Sequence, residues 1–169
     1  IWVPPAYWQG RLYVGSMDGW VYCLRARNGT LIWRFRGAPL ERKMMYFGRP
    51  RSLWPVAGGV IVQDGVANFY AGHCSHDRVF VYALDAKTGK VIWVNDKSGQ
   101  AYKVTGMAGG LSPHGVSPSG PIAASKDILY VPHGMFAPSA FRRSDGKLLW
   151  WGRRGDSTQR SSIEVQHIG

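Results

Sequence analysis

Cysteine is scarce in this chain: Cys23 and Cys74 are its only two thiols in 169 residues. Two cysteines cannot build a disulfide framework, and no second Cys/His group stands at a zinc-binding spacing. No Cys-x-x-Cys-His run is present, so the sequence holds no c-type haem attachment site. Acidic residues are also few, 10 against 21 Lys and Arg, for a net charge of +11. No stretch approaches the ~18 consecutive apolar residues that a membrane-crossing helix needs. No signal-peptide pattern is visible, but Ile1 is an unusual first residue and a preceding segment would carry one, so that says nothing about export. The Gly-, Ser- and Pro-rich residues 107–120 lack a Gly-Lys-Ser/Thr ending and open no helix, which excludes a phosphate-binding loop. Ser112 and His114 lie in that insert without a marked acid partner, so no hydrolytic triad is read there.

What is abundant is repetition. An eleven-residue frame occurs three times, at residues 23–33, 83–93 and 140–150, and each copy ends in tryptophan: Trp33, Trp93 and Trp150. A small residue opens each copy (Cys23, Ala83, Ala140) and a turn pair follows (Asn28-Gly29, Thr88-Gly89, Asp145-Gly146). Asn-Gly and Asp-Gly between apolar runs signal a tight turn, because glycine takes the positive φ required. Each frame therefore reads as strand, turn, strand. A further strand precedes each one (residues 12–14, 68–70 and 128–131). A fourth lies upstream near Pro5, at Pro55-Val56 with residues 60–62, and at residues 121–123. Four short antiparallel strands repeated along a chain predict the blades of a β-propeller, an all-β fold. The blades fall at about residues 1–36, 54–95 and 118–151 of one partial propeller domain spanning residues 1–169. The tryptophans recur roughly 60 residues apart, where a bare blade repeat takes roughly 40–50. The surplus is expected in long loops at residues 37–53 and 95–115. Three blades are too few to close a ring of about four to eight, so the chain reads as a slice of a larger propeller. Its open strand edges would pair with remaining blades or with other chains.

The recurring small residues have a mechanical purpose. An indole plate lying flat on a neighbouring blade needs a surface without bulky side chains. Ala83 and Ala140 are small, and Gly29, Gly89 and Gly146 have no side chain. The second frame resembles, position by position, the tryptophan-docking motif Ala-x-Asp-x-x-Thr-Gly-Lys-x-x-Trp of quinoprotein (PQQ-type) propellers: Ala83, Asp85, Thr88, Gly89, Lys90 and Trp93 fill every fixed place. The third copy keeps Ala140, Gly146, Lys147 and Trp150 but has Arg142 for the aspartate. The first keeps only Gly29 and Trp33 strictly.

The resemblance implies an exported protein, periplasmic or at the cell surface. Two functions are open under it. One is a non-catalytic platform that binds a protein, glycan or other surface partner. The alternative is a fragment of a quinone-dependent alcohol or sugar dehydrogenase, which would bring pyrroloquinoline quinone (PQQ) and calcium as cofactors. The alcohol-oxidising relatives hold their cofactor under a ring of two adjacent cysteines, and this chain has no Cys-Cys pair. No residue is assigned a catalytic role.

Candidate site residues fall in two groups. Loops at equivalent places in successive blades leave the ring on one face, and they would line His73, His76 and His133 up there with Asp77 nearby, a ligand site of the kind loops carry. His73-Cys74-Ser75-His76 alone does not amount to a metal site. The second group is basic. Arg42, Lys43, Arg49 and Arg51 surround Met44, Met45, Tyr46 and Phe47; such charge points either to an anionic neighbour or to a solvated rim balanced by the missing blades. Aromatic and basic side chains together can also clamp a nucleic acid or a sugar.

Overall fold

The computed structural model describes residues 3–98, 102–105, 111–133 and 137–151. Within them the chain is almost wholly β, in three four-stranded antiparallel sheets of consecutive strands. The first sheet holds β1 (Ala6–Trp8), β2 (Arg11–Gly15), β3 (Trp20–Arg25) and β4 (Leu31–Arg36). A hairpin of β5 (Lys43–Tyr46) and β6 (Arg49–Ser52) follows. The second sheet holds β7 (Ile61–Gln63), β8 (Val66–Ala71), β9 (Phe80–Asp85) and β10 (Val91–Asn95), with a 3-10 turn at Ser75–Asp77 between β8 and β9. A second hairpin pairs β11 (Tyr102–Thr105) with β12 (Leu111–His114). The third sheet holds β13 (Ala123–Ala124), β14 (Ile128–Val131), β15 (Ser139–Arg142) and β16 (Leu148–Trp150). These sheets are propeller blades.

The three frames fold alike. In each, the opening small residue pairs with the closing tryptophan: Cys23 with Trp33, Ala83 with Trp93, Ala140 with Trp150. A register shift follows that pair every time, which lets the turn tighten. The turn backbone is also common: Gly29, Gly89 and Gly146 donate at 2.8 Å to the carbonyls of Arg25, Asp85 and Arg142. Side-chain chemistry differs. Asp85 Oδ1 accepts from the Thr88 amide and hydroxyl, both at 2.7 Å. In the third frame Arg142 donates to Asp145 at 2.9 Å, so the acid has moved to the far side of the turn.

The tryptophans join neighbouring blades. A Cβ built on Gly89 would stand 2.8 Å from the Trp33 ring. Gly89 also has φ +72°, so a side chain is excluded on both grounds. The Trp33 indole N–H donates to the Ala86 carbonyl at 3.2 Å, and the Tyr13 hydroxyl donates to the same oxygen at 2.9 Å. Trp93 lies on Gly146 in the same way and donates to the Arg143 carbonyl at 2.8 Å. Gly29 and Trp150 differ. Among the described residues nothing comes within 4 Å of a Cβ on Gly29, and Trp150 is 36% exposed where Trp93 is 9%.

Packing follows from this stacking. Tyr13, Val21, Phe69, Tyr82 and Leu84 lie in the core between the first two blades. Tyr70, Val81, Trp93, Leu129 and Phe141 lie in the core between the second and third. The middle blade is covered on both faces, so β9 is buried from Phe80 to Leu84 rather than on alternate residues. Burial pushes the phenols of Tyr13, Tyr70 and Tyr82 up to about 12. They remain neutral donors, Tyr70 to Gly120 at 2.7 Å and Tyr82 to Gly37 at 3.0 Å. Arg143 ties the second and third blades on the turn side. Its guanidinium donates to the carbonyls of Gln63, Ser125 and Lys126 and stands 3.5 Å from Asp64.

Two details correct the sequence reading. Residues 37–53 and 95–115 are not plain loops: each contains a hairpin. The first strands of the second and third sheets begin after their prolines, at Ile61 and Ala123. Pro55-Val56 is not a strand. Val56 is instead a fully buried core residue whose amide donates to the Ser16 carbonyl at 3.0 Å.

Candidate functional site

The two ends of the blades are built differently. At one end the connections are short turns: Gln9-Gly10, Asp64-Gly65 and the three frame turns. At the other end, the loops joining β2 to β3, β8 to β9 and β14 to β15 meet the long connections that link one blade to the next.

Backbone bonds lay these connections over the loops. Ser52 donates to the Met17 carbonyl at 2.9 Å, and Gly72 donates to Pro55 at 3.1 Å. The Trp54 indole N–H donates to the Asp77 carbonyl, which pins the 3-10 turn beneath the first connection. The second connection reaches that turn from its other side. The Ser75 amide donates to Ser117 Oγ at 3.2 Å. Pro118 bridges to His133, and the Ser119 amide donates to the Pro132 carbonyl at 2.9 Å. Residues 117–119 thus join the β8–β9 loop to the β14–β15 loop. Sequence reasoning missed this strap, because Ser-Pro-Ser is an ordinary loop composition whose partners lie far away in the chain.

Each predicted site residue has a place on this face. His73 is exposed; Asp77 is half-buried at the end of the 3-10 turn. His76 lies within that turn. His133 is half-buried and sits in the bridge to Pro118. The backbone brings His133 and the 3-10 turn onto one strap.

Arg42, Lys43, Arg49 and Arg51 lie on or beside the β5–β6 hairpin, at the other connection. Lys43 pairs with Glu41 at 3.5 Å, both exposed, and Arg51 lies 3.7 Å from the Tyr46 ring centre. A cleft of about 190 Å³ at the hairpin root is lined by Asp18, Trp20, Arg36, Arg42, Lys43 and Ser52. Asp18 there accepts from the Tyr22 hydroxyl at 2.7 Å. Burial first, and then that bond, push the Tyr22 phenol up to about 12. Arg34 covers the Trp20 ring at 4.7 Å.

Calcium takes six to eight oxygen ligands, usually with several carboxylates. Among the described residues no three His, Cys, Asp or Glu side chains converge. The described residues do not make a calcium cage. No helix of the described residues is long and apolar enough to cross a membrane.

Tryptophan-tied four-stranded blades with a built-up loop face define the chain as a PQQ-repeat β-propeller protein. It belongs to the family described as outer membrane protein assembly factor BamB, whose profile matches residues 2–167.

It is 38% identical over 94 residues to the dehydrogenase subunit of the quinone alcohol dehydrogenase of Gluconacetobacter polyoxogenes. That match covers 52% of this chain and 12% of the enzyme. In solved structures the fold resembles BamB from Moraxella catarrhalis, with TM-score 0.58 and 17% identity over 86% of this chain and 36% of that one. It also resembles quinohemoprotein alcohol dehydrogenase ADHIIG from Pseudomonas putida, with TM-score 0.61 and 18% identity over 86% and 25%. The chain therefore spans a minor part of each of these relatives, and the two structural likenesses carry the fold alone.

Proposed function

We propose that residues 1–169 form one partial propeller of about three blades in an exported protein, and that this segment is a non-catalytic binding platform. The observation that supports it is the asymmetry between the two blade ends. One end is trimmed to tight turns, while the other carries both inter-blade connections, strapped down by Trp54, Ser75 and Ser117. A face held at several points presents its side chains at low entropic cost, which favours recognition. The partner is a protein, a glycan or another surface polymer, met by His73, His76, Asp77 and His133. Export rests on the outer-membrane description of the family. Trp150 at one end and the Gly29 turn at the other receive further blades or other chains, as Trp33 and Gly89 receive each other.

A second reading is favoured by the 38% identity to a quinone alcohol dehydrogenase subunit. There the segment would be a stretch of wall, with the metal ligands supplied elsewhere in the ring.

One experiment separates the two. PQQ and calcium are added to the protein, and dye reduction is followed with alcohols and sugars. Spectral binding with turnover overturns the platform. No binding, together with an envelope component retained by the wild type and lost on His73→Ala with His133→Ala, supports it.

A further inference from the structure

The β5–β6 hairpin carries features that its place in the fold does not require. Its strands are joined by the two residues Phe47 and Gly48, with φ of +46° and +72°. Both central residues of such a turn need positive φ, which is why Asn-Gly or Gly-Gly is usual there. A bulky aromatic in that position is a true outlier, and strain of this kind gathers at functional sites. Packing does not explain it, because Phe47 is 88% exposed and its ring contact is with Tyr46, inside the same hairpin. Met45, on the same arm, is 67% exposed. Nothing in the core holds these two side chains out.

The arm is also basic. Arg42, Lys43, Arg49 and Arg51 stand behind the apolar tip, with Glu41 paired to Lys43 and Asp18 in the cleft at the root. Register puts Arg49 opposite Tyr46, one residue from the turn, and Lys43 at the root opposite Ser52. At about 3.4 Å per residue the cations follow the tip along the arm, from about 3 Å behind it at Arg49 to about 10 Å at Arg51 and about 14 Å at Lys43. An apolar tip followed by cations along the arm suits the boundary between acyl chains and charged headgroups.

Base or sugar stacking fits less well. One face of Tyr46 is taken by Arg51, and Arg34 lies over Trp20, so both rings are engaged within the chain. Phe47 and Met45 are presented as a convex point rather than as a flat platform.

We infer that the β5–β6 hairpin docks on an anionic lipid surface, with Phe47 and Met45 entering the headgroup boundary and Arg42, Lys43 and Arg49 meeting the headgroup phosphates. This goes beyond the platform reading: it concerns a different part of the surface, and it stands or falls separately.

The test is flotation of the whole chain with vesicles of phosphatidylcholine alone and of phosphatidylcholine doped with phosphatidylglycerol. Binding is expected on the anionic vesicles only and weakens as salt rises. Phe47→Ser with Met45→Ser lowers vesicle affinity by about tenfold or more. Lys43→Glu with Arg49→Glu abolishes it. A Phe47→Trp variant reads insertion in the difference spectrum against the wild type, which supplies the background of the eight native tryptophans, and that difference emission moves to the blue on anionic vesicles. Unchanged emission with bound vesicles, or equal floating on neutral lipid, overturns the inference. So does tight binding to DNA or to an acidic polysaccharide that survives the Phe47→Ser, Met45→Ser change while vesicles are ignored.

Discussion

Trp93 lies so close to Gly146 that a methyl group on that glycine would come within 2.4 Å of the indole. Gly146 also has φ +73°. Gly146→Ala therefore meets both a steric clash and left-handed backbone strain, whereas Gly29→Ala meets only the strain, since nothing described lies within 4 Å of it. Strain alone costs about 1–2 kcal/mol. The alanine at 146 is expected to cost clearly more than the one at 29, by about 1–3 kcal/mol of overpacking. Urea unfolding of the two variants checks this, and equal midpoints would sink it.

Trp93→Ala should destabilise the chain by about 3–5 kcal/mol, the range for emptying a large aromatic site in a core. Trp93 is 9% exposed and also loses its bond to the Arg143 carbonyl. Trp150→Ala, at a residue 36% exposed, should cost about 1 kcal/mol or less. Thermal melts followed by circular dichroism distinguish the two.

Acid should loosen the middle frame. The Thr88 hydroxyl and amide hold the Asp85 carboxyl below its ordinary range. A depressed folded value means stability that is complete above the unfolded carboxylate pKa of about 4 and is lost as pH falls through the folded value. Thr88→Val should bring Asp85 back toward the ordinary range, as read by carbon-detected NMR titration. Asp85→Asn should flatten the acid limb of stability against pH. An unmoved Asp85 in the Thr88 variant would show that the hydroxyl is not the cause.

Alkali should act through the buried phenols. Tyr13, Tyr70 and Tyr82 titrate near 12 when folded, against about 10 when unfolded. The unfolded chain therefore holds fewer protons above pH 10, and stability should fall between about pH 10 and 12. Tyr70→Phe removes one titrating group and should shift that limb upward. Phenolate absorbance near 295 nm, recorded beside unfolding, should show ionisation and unfolding together rather than ionisation of the intact fold.

The fold was legible because its determinants are local and repeated. Asn28-Gly29, Thr88-Gly89 and Asp145-Gly146 set the turns, and a tryptophan closes each frame, so pattern alone gave the blades. The β5–β6 hairpin escaped because its turn is Phe47-Gly48, and phenylalanine signals a strand or core residue rather than positive φ. Double burial of β9 was invisible too, since no single strand records that a blade lies on each side of it. The loop face was only partly readable. Equivalent positions grouped His73 and His133, but the strap through Ser117 and Pro118 depends on contacts across 42 residues between Ser75 and Ser117. No spacing rule reaches that far.

Because the middle blade takes Trp33 of one neighbour on Gly89 and lays its own Trp93 on Gly146 of the other, the contact between blades has a direction. Such an arrangement is never self-complementary. Gene duplication can lengthen the array by any number of units without inventing a new seam, and every added unit must enter in the same sense. The angle between consecutive sheets, rather than any special terminal residue, then decides at what count the circle shuts.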